Sequence, residues 1–330
     1  MNHRSRRATL ALLSLAALTA VHRTGFAQAA WPEGKPIRLI VPYPAGGVTD
    51  AVARLLADKL AAPLGSNIVI ENRAGASGLI GMDVLAKAPA DGHTLAFTSV
   101  STLTITPHLG NKMPFDPGRD IAPVISFVHS PAVILATPVL AVRDFKGLLA
   151  EAKARPGAVR WSTSGQGSMG QLMLEQVKLA AKVDITHIPY RGSAQQLTDA
   201  VGGQMEVVSA NITQTLMQQI RTGKLRPLAV GADARLEALP DVPTFTELGI
   251  PKANRSSTLG LFAPARTPAA VVQRLNAEIN KLLAQPDVHK QLIEMGNVPA
   301  GGSSAAFVQA IADESVSNAQ IIKTANIRAE

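Results

Sequence analysis

The sequence contains no cysteine. That excludes disulfides, thiol nucleophiles and thiolate metal sites together, and it suits an oxidising compartment as well as any other. Aromatic residues make up only 4% of the chain and no Lys/Arg run interleaves with them, so a nucleic-acid surface is not expected. The apolar run Ala8–Ala20 is too short to span a bilayer comfortably, and no later segment approaches membrane-helix length. Catalytic and metal constellations are missing too. Ser164 and Ser168 lack the flanking glycines of a G-x-S-x-G elbow, and the histidines show no H-x-x-x-H or other metal spacing. His187, near a strand end, reads as a core or rim histidine rather than a base. No catalytic residue, metal or cofactor is therefore expected.

What is present begins with a leader. Arg4, Arg6 and Arg7 precede the apolar run, and Ala27-Gln28-Ala29 supplies a small-x-small cleavage pattern, so residues 1–29 read as a signal peptide. Ser5-Arg6-Arg7 resembles a twin-arginine signal, with Thr9 where a bulky apolar residue is usual. Cleavage near Ala29 would remove four arginines and no acid, so the net charge falls from +8 to +4. The mature chain is then an exported protein with a mild attraction for small anions.

Strand-like apolar runs occur near 37–41, 67–71, 94–98, 121–127, 132–137, 184–188, 205–209 and 226–230, with a short one at 159–162. Helical patterns fall at 50–62, 78–88, 144–155, 169–181, 193–202 and 212–222. Such alternation predicts an α/β fold of mostly parallel sheets with crossover helices. The tail differs, with a strand near 258–263 followed by helices near 268–284, 286–295 and 303–324. If that strand returns to the first sheet, the first domain is discontinuous and a cleft opens between two lobes. No repeat of fixed period is present.

Three strand ends carry the chemistry of holding an anion. Residues 38–60 combine a buried strand, a Gly46-Gly47 turn and an amphipathic helix that Thr49 or Asp50 can cap. Free N–H groups and a positive dipole end suit a carboxylate or phosphate there. Gly165-Gln166-Gly167-Ser168-Met169-Gly170 matches G-x-G-x-x-G. The acid a dinucleotide fold needs at the end of the next strand is absent, because Asp184 stands at the wrong end. A helix start at Ser168 survives that exclusion. Ser193 can cap a third helix, Arg191 is a candidate partner for a carboxylate, and Asn211 either touches a ligand or caps the helix after it.

The segments KPIRLIVPYPAGGVTD, VIENRAGASGLIG, HIPYRGSAQQLTDAVGGQ, LPDVPTFTELGIP and APARTP, in this order, resemble the Bug family, the exported receptors of tripartite tricarboxylate transporters. The resemblance spans essentially the whole mature chain. It implies a two-lobed periplasmic binding protein of type II, with two hinge crossings and each lobe a mostly parallel sheet flanked by helices. Lobe 1 would comprise 30–130 plus 257–330, and lobe 2 residues 131–256. It further implies ligand contacts at Tyr43, Ala45, Gly46, Gly47, Thr49 and Asp50, with Thr102 on a neighbouring loop. The second lobe would contribute Ser164, Gln166, Gly167, Ser168, Gly192, Ser193, Ala194 and Asn211. The expected ligand is a small organic carboxylate such as a di- or tricarboxylate, and the expected partner a membrane permease of such a transporter or a sensor ectodomain. A periplasmic monomer is expected. Leu103, Gln171 and Ala210 depart from the family pattern by removing polar groups from positions expected near the cleft. Two other readings stay open: an exported enzyme acting on an acid, and a ligand-sensing receptor without transport.

Overall fold

The computed structural model describes residues 31–328 apart from Asn111 and Arg191. The expected leader, its cleavage site and the candidate Arg191 lie outside the described residues. Ten strands run in chain order: β1 Ile37–Val41, β2 Ile68–Asn72, β3 Thr94–Ser99, β4 Ile121–Ala136, β5 Arg160–Thr163, β6 Thr186–Pro189, β7 Val207–Asn211, β8 Arg226–Gly231, β9 Ser256–Pro264 and β10 Val298–Pro299. The helices are α1 Val48–Leu64, α2 Leu79–Ala86, α3 Ser101–Thr104, α4 Pro117–Asp120, α5 Phe145–Ala154 and α6 Met169–Ala181. They continue with α7 Ser193–Val201, α8 Gln214–Arg221, α9 Ala269–Leu283, α10 Pro286–Glu294 and α11 Ser304–Thr324.

Local chemistry accounts for the first unit. Every β1 residue except Arg38 is buried, as expected of a strand covered on both faces. In α1, Val52, Leu56, Leu60 and Leu64 recur every fourth residue and form its buried face. Gly65 ends the helix at φ 67°, with its amide returned to the last-turn carbonyls, a geometry that costs a glycine least.

The strands form two α/β layers around two sheets. In the first, the order is β2-β1-β3-β9-β4-β10; in the second it is β6-β5-β7-β4-β8. The opening strand of each unit lies between its second and third strands, all parallel. The strands that cross between the sheets pair antiparallel, so both sheets are mixed rather than mostly parallel. Two lobes of one topology thus arise from a sequence without a fixed-period repeat, because strand order depends on backbone pairing and not on identical side chains.

The runs expected as separate strands at 121–127 and 132–137 are one strand. Ile121 to Pro131 pair with β9, and Ala132 to Ala136 pair with β7 on one edge and β8 on the other. Pro131 reads as a strand breaker because it lacks an N–H. Here it sits where β4 passes from one sheet to the other, paired with Ser256, and the register with β9 shifts earlier, between Pro123 and Ile125 and between Ser126 and Val128. The first sheet packs on α1, α9 and α10 on one face, and on α2 with the start of α11 on the other. The second packs on α5 and α6, and on α7 and α8. Ile321, Ile322 and Ile327, at the end of α11, belong to the second sheet's core, so this helix ties the two lobes together.

Candidate functional site

On the first lobe, the loop between β1 and α1 is organised from below by Asp50. Its buried carboxylate accepts from the Gly46 amide at 2.9 Å, from Arg54 at 2.9 and 3.0 Å, and from Asn72 Nδ2 at 2.9 Å. Asn72 also donates to the Tyr43 carbonyl at 3.1 Å. Burial alone would push Asp50 upward, but the Arg54, Gly46 and Asn72 contacts together hold its carboxyl below the usual range. Asp50 is therefore occupied in shaping the loop. The helix starts earlier than expected, with Gly47 at the N-cap position and no side-chain cap from Thr49 or Asp50.

That arrangement leaves the Val48, Thr49 and Asp50 amides with no acceptor among the described residues. Gly46 is at φ 83°, which turns the chain toward solvent, and Pro44 to Gly47 are exposed. Tyr43 Oη meets Thr102 Oγ1 at 2.9 Å, and Thr102 Oγ1 also lies 3.1 Å from the Ser77 carbonyl. The structure thus brings together the exposed Gly46-Gly47 turn, the half-buried Tyr43 and Thr49, and the buried Thr102 behind Tyr43.

On the second lobe, Ser164 and Gly192 are brought together by the bond from the Gly192 amide to the Ser164 carbonyl, 3.1 Å. Ser168 is the N-cap of α6, and the Gly167 amide donates to Gln171 Oε1 at 2.7 Å. The Met169 and Gly170 amides bond no acceptor among the described residues. Ser193 is not a cap: Gly192, at φ 123°, holds that position and Ser193 is the first helical residue. The amides of Ser193 and Ala194 likewise bond no described acceptor, and both residues are exposed.

Some predicted contacts are drawn elsewhere. Gln166 donates its side-chain amide to the Arg328 carbonyl at 3.2 Å. Gly167 faces Leu109 of the first lobe so closely that a Cβ there would collide with its side chain. Asn211 is neither free nor a cap; Thr213 caps α8, and Asn211 Nδ2 donates to Ser130 O at 2.9 Å and Oγ at 3.1 Å. It anchors the end of β7 to the crossing point of β4. Leu103 is buried in the core, and Ala210 packs with the α7–α8 cluster. Gln171 is turned onto Gly167.

His187 supports the second rim from behind. Its Nε2 lies 2.7 Å from Thr163 Oγ1, which also contacts the Gly165 carbonyl at 3.0 Å. Burial, with Lys178 nearby adding to it, lowers its pKa from 6.5 to about 4, so it is neutral at neutral pH. The unfolded chain takes up this proton first, so the fold loses stability as pH falls from 6.5 toward 4. A His187→Gln variant is expected to lose less melting temperature than wild type over that interval. An equal loss would remove His187 from the account.

Sequence reasoning missed Ser130, Leu109 and the Asp50–Asn72 contact. Each depends on a partner at least twenty residues away, and no local pattern reports it. No cluster of three or more metal-ligating side chains occurs among the described residues, and no described helix is long and apolar enough to cross a membrane.

Comparison with known proteins follows the same outline. The family model described as the tripartite tricarboxylate transporter family receptor matches residues 52–327. Protein BugT of Bordetella pertussis is 37% identical over 283 residues, covering 85% of this chain and 86% of BugT. A solved protein described as a periplasmic transporter is 38% identical, with a TM-score of 0.82 over 91% of this chain and 99% of that one. The R. palustris protein Rpa4515, solved with adipate, is 33% identical with a TM-score of 0.83, covering 90% and 99%.

Proposed function

Because this chain belongs to the tripartite tricarboxylate transporter receptor family, we propose that it captures a small organic carboxylate between its two lobes and presents it to a membrane permease. The observation that carries this reading is the set of three helix starts, at Val48, Met169 and Ser193, each at a strand's carboxyl end with unbonded amides. Open α/β sheets bind ligands at such ends, and helix N-termini favour anions. The Rpa4515 structure supports the ligand class, since that protein holds adipate.

In this reading the first rim, Tyr43, Ala45, Gly46, Gly47, Thr49 and Thr102, takes one side of the carboxylate. Ser164, Ser168, Gly192, Ser193 and Ala194 close on it from the second lobe. Asp50 and Asn211 act one step behind, as a loop organiser and a hinge anchor. The lobes are 30–130 with 257–330 and 131–256; the change of β4's partners between Pro131 and Ala132 supports the first limit. Closure is a rotation about β4 and β9. Binding and release need no nucleophile or general base, so the protein is a receptor and not an enzyme. It works as a periplasmic monomer after its leader is removed.

Isothermal titration of residues 30–330 with mono-, di- and tricarboxylates tests this. At least one acid is expected to bind with one site and a Kd in the micromolar range or tighter, about −8 kcal/mol. A Thr102→Val variant, which keeps shape but removes the hydroxyl shared with Tyr43, is expected to bind about tenfold more weakly. Absence of heat and of thermal stabilisation with every acid would sink the proposal.

A further inference from the structure

Where β4 and β9 pass between the lobes, a cavity of about 500 Å³ opens; of the helix starts proposed to hold the carboxylate it touches only Met169, and none of the named contact residues lines it. Its volume is that of a small-molecule site. His129 and Thr258 of the crossing strands form part of its wall, the 232–238 loop after β8 forms another, and residues 296–298, leading into β10, a third. Three polar atoms in this wall have no partner among the described residues: Arg255 Nε, Asn254 Oδ1 and Asn297 Oδ1. Asn297 is 1% exposed.

Arg255 is the informative group. Its Nη1 donates to Ser317 Oγ at 3.1 Å and its Nη2 to Asn318 Oδ1, both neutral acceptors on α11. It forms no ion pair with any described carboxylate, although desolvating a guanidinium is costly without one. Glu314 lines the same cavity, but its Oε1 is engaged by Thr104 at 2.9 Å and Asn318 at 3.4 Å. Burial raises the Glu314 pKa above the usual range, against those contacts and the nearby Arg255 charge, and the Glu314 charge in turn acts on Arg255 through space. The Arg235 guanidinium is held by Glu247 at 2.9 Å. The wall therefore offers one enclosed guanidinium N–H without an acceptor, and two carbonyl oxygens without donors. Met169, Ile212, Leu236 and Val298 make much of the remaining surface apolar.

We propose that this hinge cavity is a second ligand site, for a small apolar α-amino acid whose carboxylate pairs with Arg255 and whose ammonium meets the asparagine carbonyls. Asp233 and Glu237, at the exposed mouth, favour the ammonium end over a second anion. The walls come from both lobes, so an occupant changes the energy of closure and couples reciprocally to the carboxylate clamp.

L-leucine is the probe, with 4-methylpentanoate as the same molecule without its amine and L-leucinamide without its carboxylate. Titration of residues 30–330 is expected to show leucine binding, with both analogues at least about tenfold weaker. Arg255→Gln is expected to weaken leucine at least about tenfold and Thr102→Val to leave it unchanged. Ala234→Trp, which fills the cavity from an exposed loop position, gives the same loss if Arg255→Gln fails to fold. No leucine binding by wild type would overturn the proposal. So would binding that survives Arg255→Gln and Ala234→Trp but is lost in Thr102→Val, since that places the amino acid in the clamp.

Discussion

A Gly231→Ala variant is expected to lose about 3 kcal/mol of stability, the upper range for overpacking a filled site. Gly231 ends β8 and pairs with Ala132, the first β4 residue of the second sheet. A Cβ at this position would press into the Arg255 carbonyl oxygen and the Met173 methyl group. Met173 is flexible and can yield. The Arg255 carbonyl cannot move alone, because it belongs to the main chain entering β9, the second crossing. One methyl group thus forces the two crossings apart. For a chain of this size the melting temperature should fall by about 5 °C. Gly47→Ala is the control: its φ is −78° and its Cβ would meet nothing nearer than Pro44 O at 3.7 Å. It should melt within about 1 °C of wild type. If Gly231→Ala melts with the control, the crossings are not packed as described.

Removing the Asp50 carboxylate is expected to damage stability and binding together. Asp50→Ala leaves the Gly46 amide and one of the two Asn72 Nδ2 hydrogens without an acceptor, and it strips Arg54 of its partner. Arg54 is more than half exposed, so water compensates much of that ion pair. The two orphaned donors dominate, at a cost of about 2 kcal/mol. The loop that presents the Val48 and Thr49 amides then loses its support, and carboxylate affinity should fall at least about tenfold. Because contacts hold Asp50 below its ordinary pKa of 3.8, its stabilisation is present above that value and lost as pH falls through the lower folded one. The gap in melting temperature between wild type and Asp50→Asn should therefore persist at neutral pH and narrow below about pH 4. A gap that stays constant into acid would show that the charge on Asp50 is not what holds the loop.

These variants mark where sequence reading succeeds and stops. The Gly46-Gly47 turn, α1 and the helix starts at 169 and 193 are legible because periodicity and chain punctuation act over a few residues. The caps were misplaced by a residue or two, at Gly47, Gly192 and Thr213, since a cap depends on backbone angles that Ser, Thr and Asp only favour. Asn211 is not the cap, which Thr213 supplies, and its Nδ2 is bonded to Ser130, eighty-one positions away.

The sequence by itself determined the alternation of strands and helices, the absence of thiol chemistry, and which strand ends are followed by helix starts. Each of these rests on residue type and local spacing. Tertiary structure decided that one strand runs through Pro131 into a second sheet, that both lobes share a strand order, and that Arg255 lies beside α11 with its Nε unbonded. These depend on backbone pairing and burial between segments far apart in the chain. Their free energies exist only once the segments have met, so no local pattern carries them.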